Sequence, residues 1–233
     1  LTLRECRSRG AFNYLAMSLA PMAGVIDGVN ERGLAITYDY VPTTDICVDG
    51  PPISLSIDQA LSTCSTVTQA VDCISKLPRG GGALLMLADA SGDIAALELS
   101  ANHTALRRPG YEEILSHSNA YQSPEMTPYE VCRTCVYSEE APQALRGVRV
   151  YDSAEQRDTR MHNLLQETRV IDVEAVERIL SEHGPDEEPN ANTICMHGAH
   201  WSTLASVQIL PIDRRIRVSY GSACQSDYVD FQL

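Results

Sequence analysis

The chain has 233 residues, enough for one domain with a sizeable core, and 44% hydrophobic against 21% charged residues is the balance of a folded globule, not of a disordered chain. Eighteen basic against 31 acidic side chains leave a net charge of -13, which repels phosphate backbones and anionic lipid, so neither nucleic acid nor a membrane is an expected partner. No apolar run reaches the roughly 18 residues of a membrane span, and the polar start Leu1 to Gly10 has no export signal. Cys6, Cys47, Cys64, Cys73, Cys132, Cys135, Cys195 and Cys224 are scattered through segments that read as core, so we expect free thiols in a reducing cytoplasm, not a disulfide framework.

In chain order, Val25 and Ile26, the polar break Asn30 to Gly33, and Leu34 to Tyr38 read as a hairpin near a sheet edge. Helices are expected over Ile57 to Thr63 and Val67 to Leu77. The second opens with Thr66 and Gln69 at capping-box spacing, puts Val67, Ala70, Val71 and Ile74 on one face, and stops at Pro78 and Gly80 to Gly82. A second hairpin runs from Ala83 to Asp89, turns at Ser91 and Gly92, and returns to Leu99, apolar enough to be covered on both faces. A strand is expected around Ile114 to Ala120, then a loop through Pro124, Pro128 and Pro142. Two helices follow, Ala154 to Glu167 capped by Ser153 and Val173 to His183 capped by Asp172, with Gly184 and Pro185 as the stop. After a solvated loop at Asp186 to Asn190 come strands at Thr193 to Met196, Thr203 to Leu210 and Arg214 to Tyr220. Grouped strands and helix pairs of this kind form antiparallel sheet with packed helical layers, an α+β domain spanning 1–233.

Five stretches in this order, "GVNERGLAIT", "ALLMLADASGDIAALELS", "SHSNAY", "RDTRMHNLL" and "TICMHG…STLASVQILPIDRRIRVSYGSAC", resemble the penicillin acyltransferase group of N-terminal-nucleophile (Ntn) hydrolases. The resemblance implies a four-layer αββα sandwich, shared more distantly with bile-salt hydrolases and penicillin V acylases. In that family a cysteine freed at the N-terminus attacks an amide or thioester carbonyl, its α-amino group acts as base, and backbone and asparagine donors hold the oxyanion. By resemblance Asn119 is the oxyanion and substrate-positioning asparagine. Arg157 is the arginine that organises the nucleophile's surroundings, and Arg160 three residues on is taken as a substrate-binding position. Where relatives often place a second oxyanion asparagine, this chain has Tyr38, Asp39 and Tyr40, taken here as substrate-binding positions.

The resemblance departs at the front. Relatives carry the nucleophile some dozens of residues before the equivalent of "GVNERGL", whereas 27 residues precede Gly28 here, and Cys6 in "RECRSR" is neither N-terminal nor in a small-residue setting. The expectation is a domain without its nucleophile-bearing first strands, through a sequence lacking its beginning, a fragment cleaved away, or a split gene whose second small product supplies them. Without those strands a sheet would present unpaired backbone groups suited to strand addition by a partner.

His117 shares the "SHSNAY" segment with Asn119, either to donate or exchange protons or as a satisfied histidine in a wet cleft. Cys132 and Cys135 form a lone Cys-x-x-Cys, and Cys195, His197 and His200 read as a loop with polar tips, so no cofactor and no metal is expected. Three functions remain open: amide hydrolysis or acyl transfer on a small metabolite, an antibiotic-tailoring cyclisation that expels an anion such as sulfate (aziridine formation), and a non-catalytic binding subunit.

Overall fold

The computed structural model describes residues 1–110 and 113–233. Seven strands form one antiparallel meander in chain order: β1 (Thr2–Cys6), β2 (Tyr14–Ser18), β3 (Asp27–Asn30), β4 (Ala35–Tyr40), β5 (Ala83–Ala88), β6 (Ile94–Leu99) and β7 (Thr104–Arg107). A second antiparallel sheet has the order β10 (Tyr228–Gln232), β9 (Arg215–Ser219), β8 (Ser206–Leu210). Helices α1 (Ile53–Thr63) and α2 (Val67–Lys76) join β4 to β5, and α3 (Asp152–Glu167) and α4 (Val173–Leu180) precede β8.

Strand alternation assigns the layers. Ile36, Leu85, Leu87, Leu97 and Leu99 pack on one face of the large sheet against Ile57, Leu61, Val67 and Ile74 of α1 and α2. On the other face Leu15, Met17, Val29 and Ala35 meet Ile216 and Val218 of the small sheet. Gln208 Nε2 on β8 donates to the Val173 carbonyl, and Arg217 on β9 reaches Glu177 at 2.5 Å, so α4 covers the far face of the small sheet. The result is the four-layer αββα order implied by the resemblance. Among the described residues no helix is long and apolar enough to cross a membrane.

The helix signals hold with adjustments. Thr66 Oγ1 accepts from Gln69 N–H at 3.3 Å, while Gln69 Oε1 accepts from the Ser65 N–H at 2.8 Å, one residue earlier than an ideal capping box. Asp172 caps α4 through the Ala175 N–H at 2.8 Å. Ser153 is not the cap of α3, which already begins at Asp152; its hydroxyl is taken by the Ala191 carbonyl and Arg157 Nε.

Four strand expectations are corrected. The "GVNERGL" hairpin lies in the middle of the large sheet, because β1 and β2, unread in the sequence, pair outside it. Residues 114–120 form no strand: their polar groups go to side chains and α3, with Ser118 Oγ donating to the Ala154 carbonyl and Arg107 to the Ser116 carbonyl. Residues 193–196 are loop, where the Thr193 hydroxyl bonds the Asn190 and Cys195 carbonyls. A last strand, β10, follows Arg215–Ser219 where none was expected.

The turn of the central hairpin is held from inside. Asn30 is fully buried; its amide donates to the Leu61 and Cys64 carbonyls at the end of α1, and its Oδ1 accepts from Arg32 and Leu34 N–H. Gly33 takes φ +82°, and a side chain there would meet Ala90 and the Pro211 carbonyl at 2.7 Å.

Candidate active site

The apolar contact between the sheets stops at Val29 and Ala35. Continuing along the same face, β3 presents Asp27 and β4 presents Thr37 and Asp39, and a cleft of about 410 Å³ opens. Its other walls are His117 and Ser118, Arg157 and Met161 of α3, Ile194, Thr203, and Ala205 to Val207 at the start of β8. β8 is an edge strand of the small sheet, and among the described residues no strand pairs with its outer backbone edge beside this opening.

Two pairs organise the cleft. Arg157 Nη2 donates to Asn119 Oδ1 at 2.7 Å while its Nε bonds Ser153 Oγ at 3.2 Å. Because a guanidinium only donates, this fixes which end of the Asn119 amide is oxygen. Asn119 Nδ2 then donates to the Tyr40 carbonyl at 2.7 Å, using one of its two N–H groups and leaving a second for a ligand. Burial pulls the Arg157 guanidinium below its ordinary value, against the opposing pull of Asp39. The second pair is His117 Nε2 with Asp39 Oδ2 at 3.2 Å; the His117 side chain is 5% exposed, and its Nδ1 is buried with no partner among the described residues.

Of the residues expected from the sequence, Asn119, Arg157, His117 and Asp39 therefore converge. Tyr38 borders the opening, but its ring packs with the helix-face core. Tyr40 is 59% exposed and contributes its carbonyl. Arg160 is not in the cleft: it forms an ion pair with Glu182, its Nε donating at 2.7 Å. One turn of helix separates it from Arg157, and that is enough to aim it at a different loop. Cys6 lies on the helix face of the large sheet, away from the cleft, where it packs at the margin of the α1–α2 core.

Two functional positions went unread. Asp27 has one carboxylate oxygen accepting from Tyr38 N–H at 3.3 Å, and burial pushes its carboxyl up to about 7, with Asp39 adding repulsion. Its signal in the sequence is an acid in phase with Val29, on the strand face that should be apolar. Glu98 is fully buried, paired with Arg107 at 2.7 Å, and accepts from the Gln122 and Ser123 N–H groups. It thereby anchors the segment carrying His117 and Asn119 to β6.

The family model described as acyl-coenzyme A:6-aminopenicillanic acid acyl-transferase matches residues 2–224. The chain belongs to that family. Among solved structures, penicillin V acylase from Agrobacterium tumefaciens superposes with a TM-score of 0.58 at 17% identity, over 99% of this chain and 75% of that one. The Caenorhabditis elegans orthologue of N-acylethanolamine-hydrolyzing acid amidase gives 0.52 at 13% identity, over 100% and 86%. A variant of the conjugated bile acid hydrolase from Clostridium perfringens gives 0.51 at 12%, over 95% and 82%. No curated protein sequence matches the chain. At these identities the solved structures establish the shared fold, that of Ntn hydrolases, while the acyl-transferase family membership rests on the match along nearly the whole chain.

Proposed function

We propose that this chain is the larger part of an amidohydrolase or acyltransferase acting on a small metabolite, with the nucleophile brought to the cleft by a strand-bearing segment that docks on β8. The observation that carries this reading is the Arg157–Asn119–Tyr40 chain of hydrogen bonds, which starts from a lining residue of the cleft, Arg157. It fixes the Asn119 amide against Arg157 with one N–H uncommitted, and loss of a preorganised oxyanion donor costs ~100-fold or more in turnover. Asp27, titrating near neutrality, and His117, held by Asp39, supply groups for proton movement in the same opening.

The partner is part of the proposal. Supporting it are the free edge of β8 and the exposed apolar residues just before it, Leu204 at 70% and Trp201 at 46% exposure. The eight free thiols fit a reducing cytoplasm for the assembly. Co-expression with the product of any short open reading frame beside the gene, followed by amide hydrogen exchange, tests the docking. Slowed exchange at Ser206 to Leu210 in a co-purifying complex is expected, and unchanged exchange there removes the strand-addition reading.

A second reaction has one observation in its favour: Arg157 is a half-buried cation among the cleft's lining residues, suited to a leaving oxyanion. In that version the complex closes a small ring within its substrate and releases sulfate, as in aziridine formation during antibiotic assembly. Ion chromatography for sulfate beside mass analysis of the organic product separates the two; hydrolysis products alone eliminate the cyclisation. Unchanged turnover after Asn119→Ala and Arg157→Ala would leave a non-catalytic binding subunit.

A further inference from the structure

Beside the cleft, three loop segments bring together two cysteines and two histidines. Cys195 Sγ lies 3.7 Å from Cys224 Sγ and 3.5 Å from His197 Nε2, and Cys224 Sγ lies 3.3 Å from the same nitrogen. A ring nitrogen of His183 completes the group, with all four ligand atoms within 4.8 Å of one another. Zinc held at ~2.3 Å from sulfur and ~2.0 Å from nitrogen in a tetrahedron would require edges of about 3.8 Å between sulfurs and about 3.5 Å between sulfur and nitrogen. The three distances match those edges.

A second observation points the same way. His183 Nε2 is buried without a partner among the described residues, which costs free energy unless a ligand satisfies it. The rings of His183 and His197 stand edge to face at 75° with centroids 5.1 Å apart, so they do not stack and can converge on one point. A disulfide between Cys195 and Cys224 would need the sulfurs at about 2.05 Å, well inside their separation.

We propose that His183, Cys195, His197 and Cys224 form a closed structural zinc site. Binding displaces one proton from each thiol, so two thiolates balance the +2 ion and the site is neutral, as a partly buried position requires. Four protein ligands leave no open coordination position, which makes the role structural, not catalytic. The sequence hides the site because its ligands do not fall in two short pairs: His183 follows α4, Cys195 and His197 sit in the loop before β8, and Cys224 lies between β9 and β10. His200 lies outside the group and packs edge-on against Trp201.

The site would fix one wall of the cleft. Cys195 N–H donates to the Glu182 carbonyl, next to His183, and Met196 N–H to Thr203 Oγ1 at 2.9 Å; Ile194 and Thr203 themselves line the cleft. Arg160 gains a reason here, since its ion pair with Glu182 steadies the segment carrying His183.

The full chain, purified under reducing conditions from zinc-supplemented cells, should carry one zinc per chain by elemental analysis. Exchange for cobalt should give thiolate-to-metal charge transfer in the near ultraviolet and tetrahedral bands in the red. Cys224→Ser and His183→Ala should each lose the metal, while a Cys132→Ser, Cys135→Ser double variant keeps it; chelation of the wild type should lower its melting temperature. The wild-type cobalt spectrum carries the test even if a ligand variant fails to fold. A metal-free wild-type chain with no cobalt spectrum, a Cys195–Cys224 disulfide found by mass after non-reducing alkylation, or zinc retained by a folded Cys195→Ser, Cys224→Ser variant would overturn the assignment.

Discussion

The two faces of the seven-stranded sheet are built on opposite principles. Toward α1 and α2 the contact is continuous, apolar and locally satisfied, down to the four hydrogen bonds of buried Asn30. Toward the small sheet it is a short apolar patch that gives way to two carboxyl groups, a histidine and an arginine whose partners come from distant segments. The first face makes the domain fold and the second costs it stability. Polar groups held with incomplete partners are tolerated where a reaction or a ligand needs them.

The largest expected effect probes the link between the faces. Glu98→Ala removes the carboxylate that pairs with Arg107 and accepts from Gln122 and Ser123 N–H, and should cost about 3–5 kcal/mol in denaturant unfolding. Hydrogen exchange should rise most around residues 116–123; a loss below about 1 kcal/mol would mean the segment is anchored elsewhere. Leu85→Ala on the helix face should cost about 3 kcal/mol, through lost burial and the cavity left behind, and leave the cleft's ligand preference unchanged.

On the cleft face the expected signature is pH. Asp27 is held near 7 in the folded chain against about 4 when unfolded, so the folded state binds the extra proton between these values. The stabilising contribution is present below about pH 4 and is lost as pH rises through about 7, so stability declines across that window. Asp27→Asn should flatten the decline and be the more stable protein at pH 8; an identical pH profile for the two would remove the perturbed carboxyl from the account. The smallest effect lies outside both faces. Thr66→Ala should cost about 1 kcal/mol through loss of the α2 cap, with no change in ligand binding.

The same contrast explains what was legible. Caps, glycine stops and apolar periodicity are local, so the helices and the paired strands of residues 83–99 could be read directly, while the four-layer order came through the family resemblance. β2 was missed because all five of its residues are buried, which erases alternation, and β1 because Arg4 and Glu5 hide a short edge strand. Asn119 and Arg157 are 38 residues apart and could be named through family resemblance alone. Asp39 and His117 were named separately, with nothing in their spacing to say that they pair. Arg160 shows the limit, since proximity in a motif did not place it at the site.

The central claim is that Asn119 and Arg157 act together as the charge-stabilising element of an acyl-transfer cleft. Its most direct test is turnover of a panel of amides and thioesters of small carboxylic acids by the chain co-purified with the proposed strand-donating partner, comparing wild type, Asn119→Ala, Arg157→Ala and the double variant. The account predicts a loss of ~100-fold or more for each single variant and little further loss for the double, because Arg157 works through Asn119. Turnover that is unchanged in the singles, or that falls by the product of the two losses in the double, would contradict it.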